Sequence, residues 1–422
     1  MKKLLALTLA ALMCLPALSG CKGGTANSGK VTTIKFATSW VGTSTAKDWW
    51  NEHHTAFNKA YDGKIKLEVE EIPGDQNYVD KMKVLYSSNS LPDVIATGGY
   101  DLISTMKDKF VDLTSYVDAD STWKSRLSAE GVAANSRNGK LYGIPYVKQV
   151  IGYFYNKDLF KKAGITSTAT TWDELFAQAD KLKAAGITPF SMDTADSGWV
   201  TSLMLCAMVA QDDTGEKFMN TTQPTDYNFT EFVSAAANIQ KMFQKYTTSD
   251  AIGGKYENAA SNFFSGKTAI IANGPWMIQN FYDSSMVPTG FADKVGEAAY
   301  PGNVMYNSGK IGFNIASKTK ANTDAAVTFV KFLTSDESQQ KCLETQGEIP
   351  DCSKVTSTKV KPLVTETIKL GASAKRKIND FQSLWYANVV DEVSVEYPLL
   401  AQSKITPTQF AAALTATAQK NK

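Results

Sequence analysis

The chain has few of the residues from which reactive centres are usually assembled. It contains two histidines and five cysteines in 422 residues. The histidines, His53 and His54, are adjacent. On a helix, adjacent side chains point about 100° apart, so the pair does not converge on one metal. Neither a Gly-x-Ser-x-Gly elbow nor a phosphate-binding glycine loop occurs. No cofactor and no metal is therefore expected. The 44 Lys+Arg nearly balance the 42 Asp+Glu, which leaves no excess charge to attract a nucleic acid. No apolar run reaches the roughly 20 residues that span a bilayer. A glycosidase needs two carboxylates about 5–9 Å apart. With this many acids some pair is always available, so abundance alone is no evidence of catalysis, and the chain reads as a non-enzyme.

What is present begins at the N-terminus. Met1-Lys2-Lys3 precedes an apolar stretch from Leu4 to Leu18, the pattern of a secretory signal over 1–20. Leu18-Ser19-Gly20-Cys21 resembles the lipobox of bacterial lipoproteins, which implies cleavage before Cys21 and lipid attachment to its thiol. Residues 21–30 are rich in Gly, Ser, Thr and Asn and read as a flexible tether. The lipid is then the only membrane anchor, placing the protein on the outer face of the bacterial cytoplasmic membrane.

About 400 residues remain, more than one hydrophobic core usually serves, so two lobes are expected. Cys342 and Cys352 enclose a short Gly/Pro-containing segment, and export permits a disulfide there. Loop entropy would make it worth about 2.8 kcal/mol. Cys206 lies in the apolar run 203–208 and reads as a buried small hydrophobe.

The first hundred residues alternate two periodicities. Val31 to Thr38 reads as a strand, Lys47 to Tyr61 as a helix, Ile65-Leu67-Val69 as a half-buried strand, Asp75 to Ser88 as a helix and Pro92 to Ala96 as a short strand. This βαβαβ order predicts an α/β fold with mainly parallel sheets flanked by helices. In such sheets ligands bind beyond the carboxyl ends of the strands. That directs attention to Ser39 and Trp40 after the first strand, and to Tyr100 and Asp101 after the third. Further on, Thr171-Trp172-Asp173-Glu174 is a helix-capping box, with Trp172 as a packing residue. Phe229 to Tyr246 reads as an amphipathic helix, and Phe263 to Ile271 joins a helix end to a strand.

The order of several segments resembles ABC-transporter sugar-binding proteins of the maltose-binding type. These are Leu91-Pro92-Asp93-Val94, Gly143-Ile144-Pro145-Tyr146, Tyr155-Asn156-Lys157-Asp158, Thr171-Trp172-Asp173-Glu174-Leu175, and Phe264-Ser265-Gly266-Lys267-Thr268-Ala269-Ile270 with Asn273-Gly274-Pro275-Trp276. The resemblance implies a two-lobed periplasmic-binding-protein-like fold with a sugar in the interlobe cleft. It assigns 31–147 plus 303–317 to the first lobe and 148–302 plus 318–422 to the second. It implies a monomer that closes on its ligand and delivers it to the transmembrane permease of an importer. Binding of another solute and a glycoside-active lipoprotein are the competing readings.

The resemblance also nominates residues. Trp276 and Trp385 match tryptophans that stack on sugar rings. Asp101 matches a hydroxyl-binding carboxylate, and Asp193, Asp196 and Trp199 lie in a matching loop. Gln149 stands where the maltose binders carry an acid. Gly98 replaces an aromatic, and the first loop, at Ser39 and Trp40, lacks an Asp-Lys pair. These departures argue against maltose itself.

Overall fold

The computed structural model describes residues 30–41, 46–96, 100–351 and 355–421. The signal segment, Cys21, nearly all of the tether, Gly98 and Cys352 lie outside them. Among the described residues no helix is long and apolar enough to cross a membrane.

The alternation in Thr32–Thr38 puts Ile34 and Phe36 on one buried face. That strand pairs in parallel with Ile65–Glu71 on one side and with Val94–Ala96 on the other. The sheet is completed by Phe313–Ile315 and Gly143–Ile144, both antiparallel additions. Phe36 is the centre of an aromatic core, with Trp50, His54, Phe313 and Phe329 rings 5.4–6.3 Å away. Both histidines are spent in this core: His53 bonds the Trp49 carbonyl at 2.8 Å and stacks on its ring. Burial lowers the pKa of His54 to about 4, so it packs as a neutral ring.

The second sheet is built on the ten-residue strand Val147–Asn156. Val304–Gly309 and Val295–Ala298 pair with it, as do Thr268–Asn273 and Ile349–Pro350, all antiparallel. Thr188–Phe190 and Arg376–Ile378 extend the sheet in parallel. This sheet is mixed because its central strand arrives from the other lobe and not through a βαβ turn. Gly152 sits where one partner strand hands over to the next; a Cβ there would lie 2.4 Å from the Ala298 carbonyl oxygen.

Two lobe boundaries differ from the expectation. Val304–Gly309 was assigned with 303–317 to the first lobe, but it hydrogen-bonds into the second sheet. The chain enters the first sheet only at Phe313–Ile315. The helices Lys320–Leu333 and Asp336–Gln346 then stay with the first lobe, where Ala326, Phe329, Val330, Leu333 and Cys342 join the Phe36 core. The physical reason is aromatic fit: Phe329 packs edge-on against Phe36 and Phe57. Cys342 is a free, buried thiol within that core, and its expected partner Cys352 lies outside the described residues.

The second lobe buries an acid outside any cleft. Glu297 lies in Val295–Ala298; Thr367 donates to its Oε2 at 2.5 Å, and Oε1 has no partner. Burial pushes its pKa up to about 8, against the opposing Thr367 bond. A folded-state pKa above the unfolded one gives stability that is present at low pH and lost as pH rises towards the folded value. Stability to urea is therefore expected to fall between pH 4.5 and about 8. Glu297→Gln should flatten part of that fall, leaving the share due to Asp193, Asp351 and Asp380, which burial shifts the same way. Unfolding midpoints across that range check this.

Candidate functional site: the cleft between the lobes

The sheets are joined at three places: between Ile144 and Val147, between Gly309 and Phe313, and before Ile349–Pro350, which pairs with Val147 and Lys148. Side chains beside these crossings face both lobes. Gln149 follows the first crossing and is 3% exposed. Its Nε2 donates to Asp380 Oδ2 at 2.7 Å, while its Oε1 has no partner. Asp380 also accepts from the Gln382 backbone N–H at 3.3 Å and from the Trp199 side chain. Burial lifts its pKa to about 6, opposed by those bonds and by the Lys310 ammonium.

Trp199 is aimed by a strained turn. Asp196, Ser197 and Gly198 all have left-handed φ, at 52°, 65° and 49°. Each such non-glycine residue costs roughly 1–3 kcal/mol and persists where surroundings impose it. Here Ser197 N–H donates to Ser394 Oγ at 2.5 Å, and Gln382 Nε2 donates to Ser197 Oγ at 3.0 Å. Gly198 is required because a Cβ would lie 2.4 Å from the Tyr397 ring. The helix Trp199–Val209 then opens with the Trp199 ring 5.9 Å from that of Trp276 and 6.2 Å from that of Tyr256.

Trp276 follows the strand Thr268–Asn273. Asn273 Oδ1 accepts from Gly274 N–H at 2.8 Å, and its Nδ2 donates to the Tyr256 hydroxyl at 3.3 Å, shaping the turn. The half-buried Trp276 ring folds back over Gly274, where a Cβ would lie 2.3 Å from it. Lys310, on the second crossing, holds its Nζ 5.3 Å from the ring centroid. Glu348, near the third crossing, is raised in pKa by burial, with Lys310 opposing. At the mouth the lobes touch: Asp101 N–H donates to the Gln382 carbonyl at 3.2 Å, and Lys83 pairs with Asp391 at 3.4 Å. The space left there is about 20 Å³, room for a water and not for a sugar ring.

Of the nominated residues, Trp276, Trp199 and Gln149 converge through Asp380 and Lys310. Tyr100 stands at the mouth and bonds Gln382; burial raises its pKa, with Asp75, Asp380 and Asp196 adding to the rise. Asp196 is half-exposed and pairs with Lys255 at 3.4 Å. Ser39 donates to Asp75 at 2.7 Å. Trp40 stacks on Trp50 at 4.5 Å and meets Tyr146 edge-on, at the rim of the first core.

Three nominated residues already have structural partners. Trp385 is 2% exposed and meets Phe218, Tyr227, Phe232 and Phe381 at centroid distances of 4.9–6.2 Å, so most of its ring serves the second core, while it also lines the small space at the mouth beside Tyr100 and Gln382. The Asp101 carboxylate caps its own helix through Ser104 N–H at 3.0 Å and pairs with Arg137 at 3.1 Å, so each oxygen already has a partner. Asp193 accepts from Val200 and Thr201 N–H at 3.3 and 3.1 Å, holding the start of the Trp199 helix. Asp380, Lys310, Glu348, Tyr256 and Gln382 were missed. Asp380 shows in sequence only as a helix N-cap, a role it also fills. Lys310 between Gly309 and Gly312 carries no local signal of burial.

Among the described residues no group of three or more His, Cys, Asp or Glu could hold a metal. Trp385→Ala should lower unfolding stability by roughly 3–5 kcal/mol, as loss of a large core aromatic does. Trp276→Ala should cost distinctly less; denaturant midpoints of the two variants separate core from cleft.

Comparison with known proteins agrees with this architecture. Residues 52–367 match the family described as bacterial extracellular solute-binding protein. The chain is 24% identical over 323 residues to a multiple sugar-binding protein of Streptococcus mutans, covering 71% of each. It is 25% identical over 358 residues to a maltooligosaccharide ABC transporter solute-binding lipoprotein of Streptococcus pneumoniae, covering 81% of this chain and 78% of that one. Among solved structures, a chitin oligosaccharide binding protein superposes with a TM-score of 0.84 at 19% identity, over 93% of this chain and 99% of that one.

Proposed function

This chain belongs to the family of bacterial extracellular solute-binding proteins, and we propose that its solute is a carbohydrate, held in the cleft beside Trp276 and delivered to an ABC import permease. The family binds solutes and does not transform them, so the chain is not an enzyme. The observation that carries the reading is the pairing of Trp199 and Trp276, 5.9 Å apart, with a buried Gln149–Asp380 hydrogen-bond pair. A pyranose has an apolar C–H face and a rim of hydroxyls. Burying roughly 60 Å² of that face contributes about 1.5 kcal/mol per stack. A micromolar complex needs about 8 kcal/mol. Hydrogen bonds from hydroxyls to fixed polar groups supply much of the remainder and set specificity. Relatives named for sugars and maltooligosaccharides support the same class of ligand.

In this reading the two lobes, joined by their three crossings, open to admit the ligand and close on it. The protein acts as a monomer tethered by lipid at Cys21, which keeps it beside its permease without fixing its orientation. A relative named as a lipoprotein supports the anchor.

Two measurements test this. In a broad oligosaccharide panel, one or a few sugars should raise the melting temperature of the purified protein and be recovered unchanged. Trp276→Ala should weaken that binding at least about tenfold, the loss of one stack. Unchanged affinity in this variant would remove Trp276 from the site, and catalytic release of altered sugar would overturn the binding role. For the anchor, Cys21→Ser should abolish incorporation of labelled palmitate and release the protein to the medium; retained label refutes it.

A further inference from the structure

The charges around Trp276 are unequal. The Lys310 charge acts on both Asp380 and Glu348, one base against two buried acids. Asp75 adds a third carboxylate that acts on Tyr100 in one lobe and on Tyr256 in the other. Among the described residues no ammonium or guanidinium lies within ion-pair distance of Asp75. The hydrogen-bond inventory leans the same way. Gln149 Oε1 and Glu348 Oε2 are buried acceptors without a donor. A buried acceptor left unpaired costs about 1–3 kcal/mol, so each favours a ligand that brings an N–H or O–H. A ligand carboxylate or sulfate would bring only acceptors and a like charge.

We propose that this cleft selects its carbohydrate by charge, accepting neutral sugars, preferring those with a ring amine, and excluding uronic and sulfated sugars. The proposal rests on the carbohydrate reading above and narrows it. The amine gains because an ammonium gives each orphaned acceptor a charge-assisted donor. Lys310 sets the limit of the preference: its Nζ, 5.3 Å from the Trp276 ring centroid, places one positive charge beside the same ring.

The test is a titration of the purified full chain with oligosaccharides in three matched sets of the same ring and linkage: neutral, 2-amino and uronate. Binding is read by calorimetry at low and high salt. Each uronate should bind at least about tenfold more weakly than its neutral partner, and each amine more tightly, with both differences shrinking as salt screens them. Glu348→Gln should narrow the uronate-to-neutral ratio, and Lys310→Met should widen it. A uronate that binds as well as its neutral partner overturns this inference and leaves the carbohydrate reading intact. Binding in none of the sets overturns both.

Discussion

The cleft depends on one buried carboxylate. Asp380 receives hydrogen bonds from Gln149, from the Trp199 side chain and from the Gln382 backbone, three groups brought from separate parts of the chain. A charge out of water is tolerated only when such donors replace its hydration. Folding the second lobe around Asp380 therefore places the central strand, the helix that opens at Trp199 and the C-terminal segment in one arrangement. The left-handed turn at Asp196–Gly198 is held by the same neighbourhood, since Gln382, two residues after Asp380, bonds the Ser197 hydroxyl. Aromatic orientation and charge are thus not independent features of the site.

That arrangement is tied to the crossings. Gln149 lies two residues into Val147–Asn156, and Lys310 lies between Val304–Gly309 and Phe313–Ile315. The crossing backbones pass close together: a Cβ on Gly312 would lie 1.9 Å from the Ile144 carbonyl oxygen, and Asn135 Oδ1 accepts from Gly312 N–H at 3.0 Å. Asn135 Nδ2 donates in turn to the Lys310 carbonyl at 2.9 Å. Gln149 and Lys310 are thus mounted on or beside the segments that join the lobes. Across the mouth, Asp101 N–H donates to the Gln382 carbonyl, a backbone bond between the lobes.

Periodicity revealed the elements more reliably than their partners. The alternation of Ile34 and Phe36, the helix Lys47–Ala60 and the capping box at Thr171 and Glu174 were legible because each is a local pattern with a local cause. The placement of 304–346 was not. Val304–Gly309 is apolar enough for either sheet, and only the pairing register with Val147–Asn156 assigns it. The apolar stripe of Lys320–Leu333 likewise fits any core, and the lobe it joins is decided by Phe36 and Phe57, some 270 residues earlier. Trp385 is ambiguous for a related reason. A tryptophan in a short C-terminal helix reads the same whether its ring meets solvent or four aromatic neighbours.

Gln149 shows most clearly what position-by-position reading misses. Judged alone, a neutral amide where the maltose binders carry an acid suggests a site that has lost charge. In three dimensions the acid is 2.7 Å away, contributed by Asp380 from 231 residues downstream. The amide is then a spacer with two ends: its N–H holds the carboxylate, and its carbonyl oxygen remains buried without a donor. An aspartate at 149 would place two like charges in that space and force one to take up a proton. Glutamine keeps one acid charged enough to accept hydrogen bonds while presenting a second acceptor without a second charge. A polar group of that kind distinguishes ligands by the donors they bring.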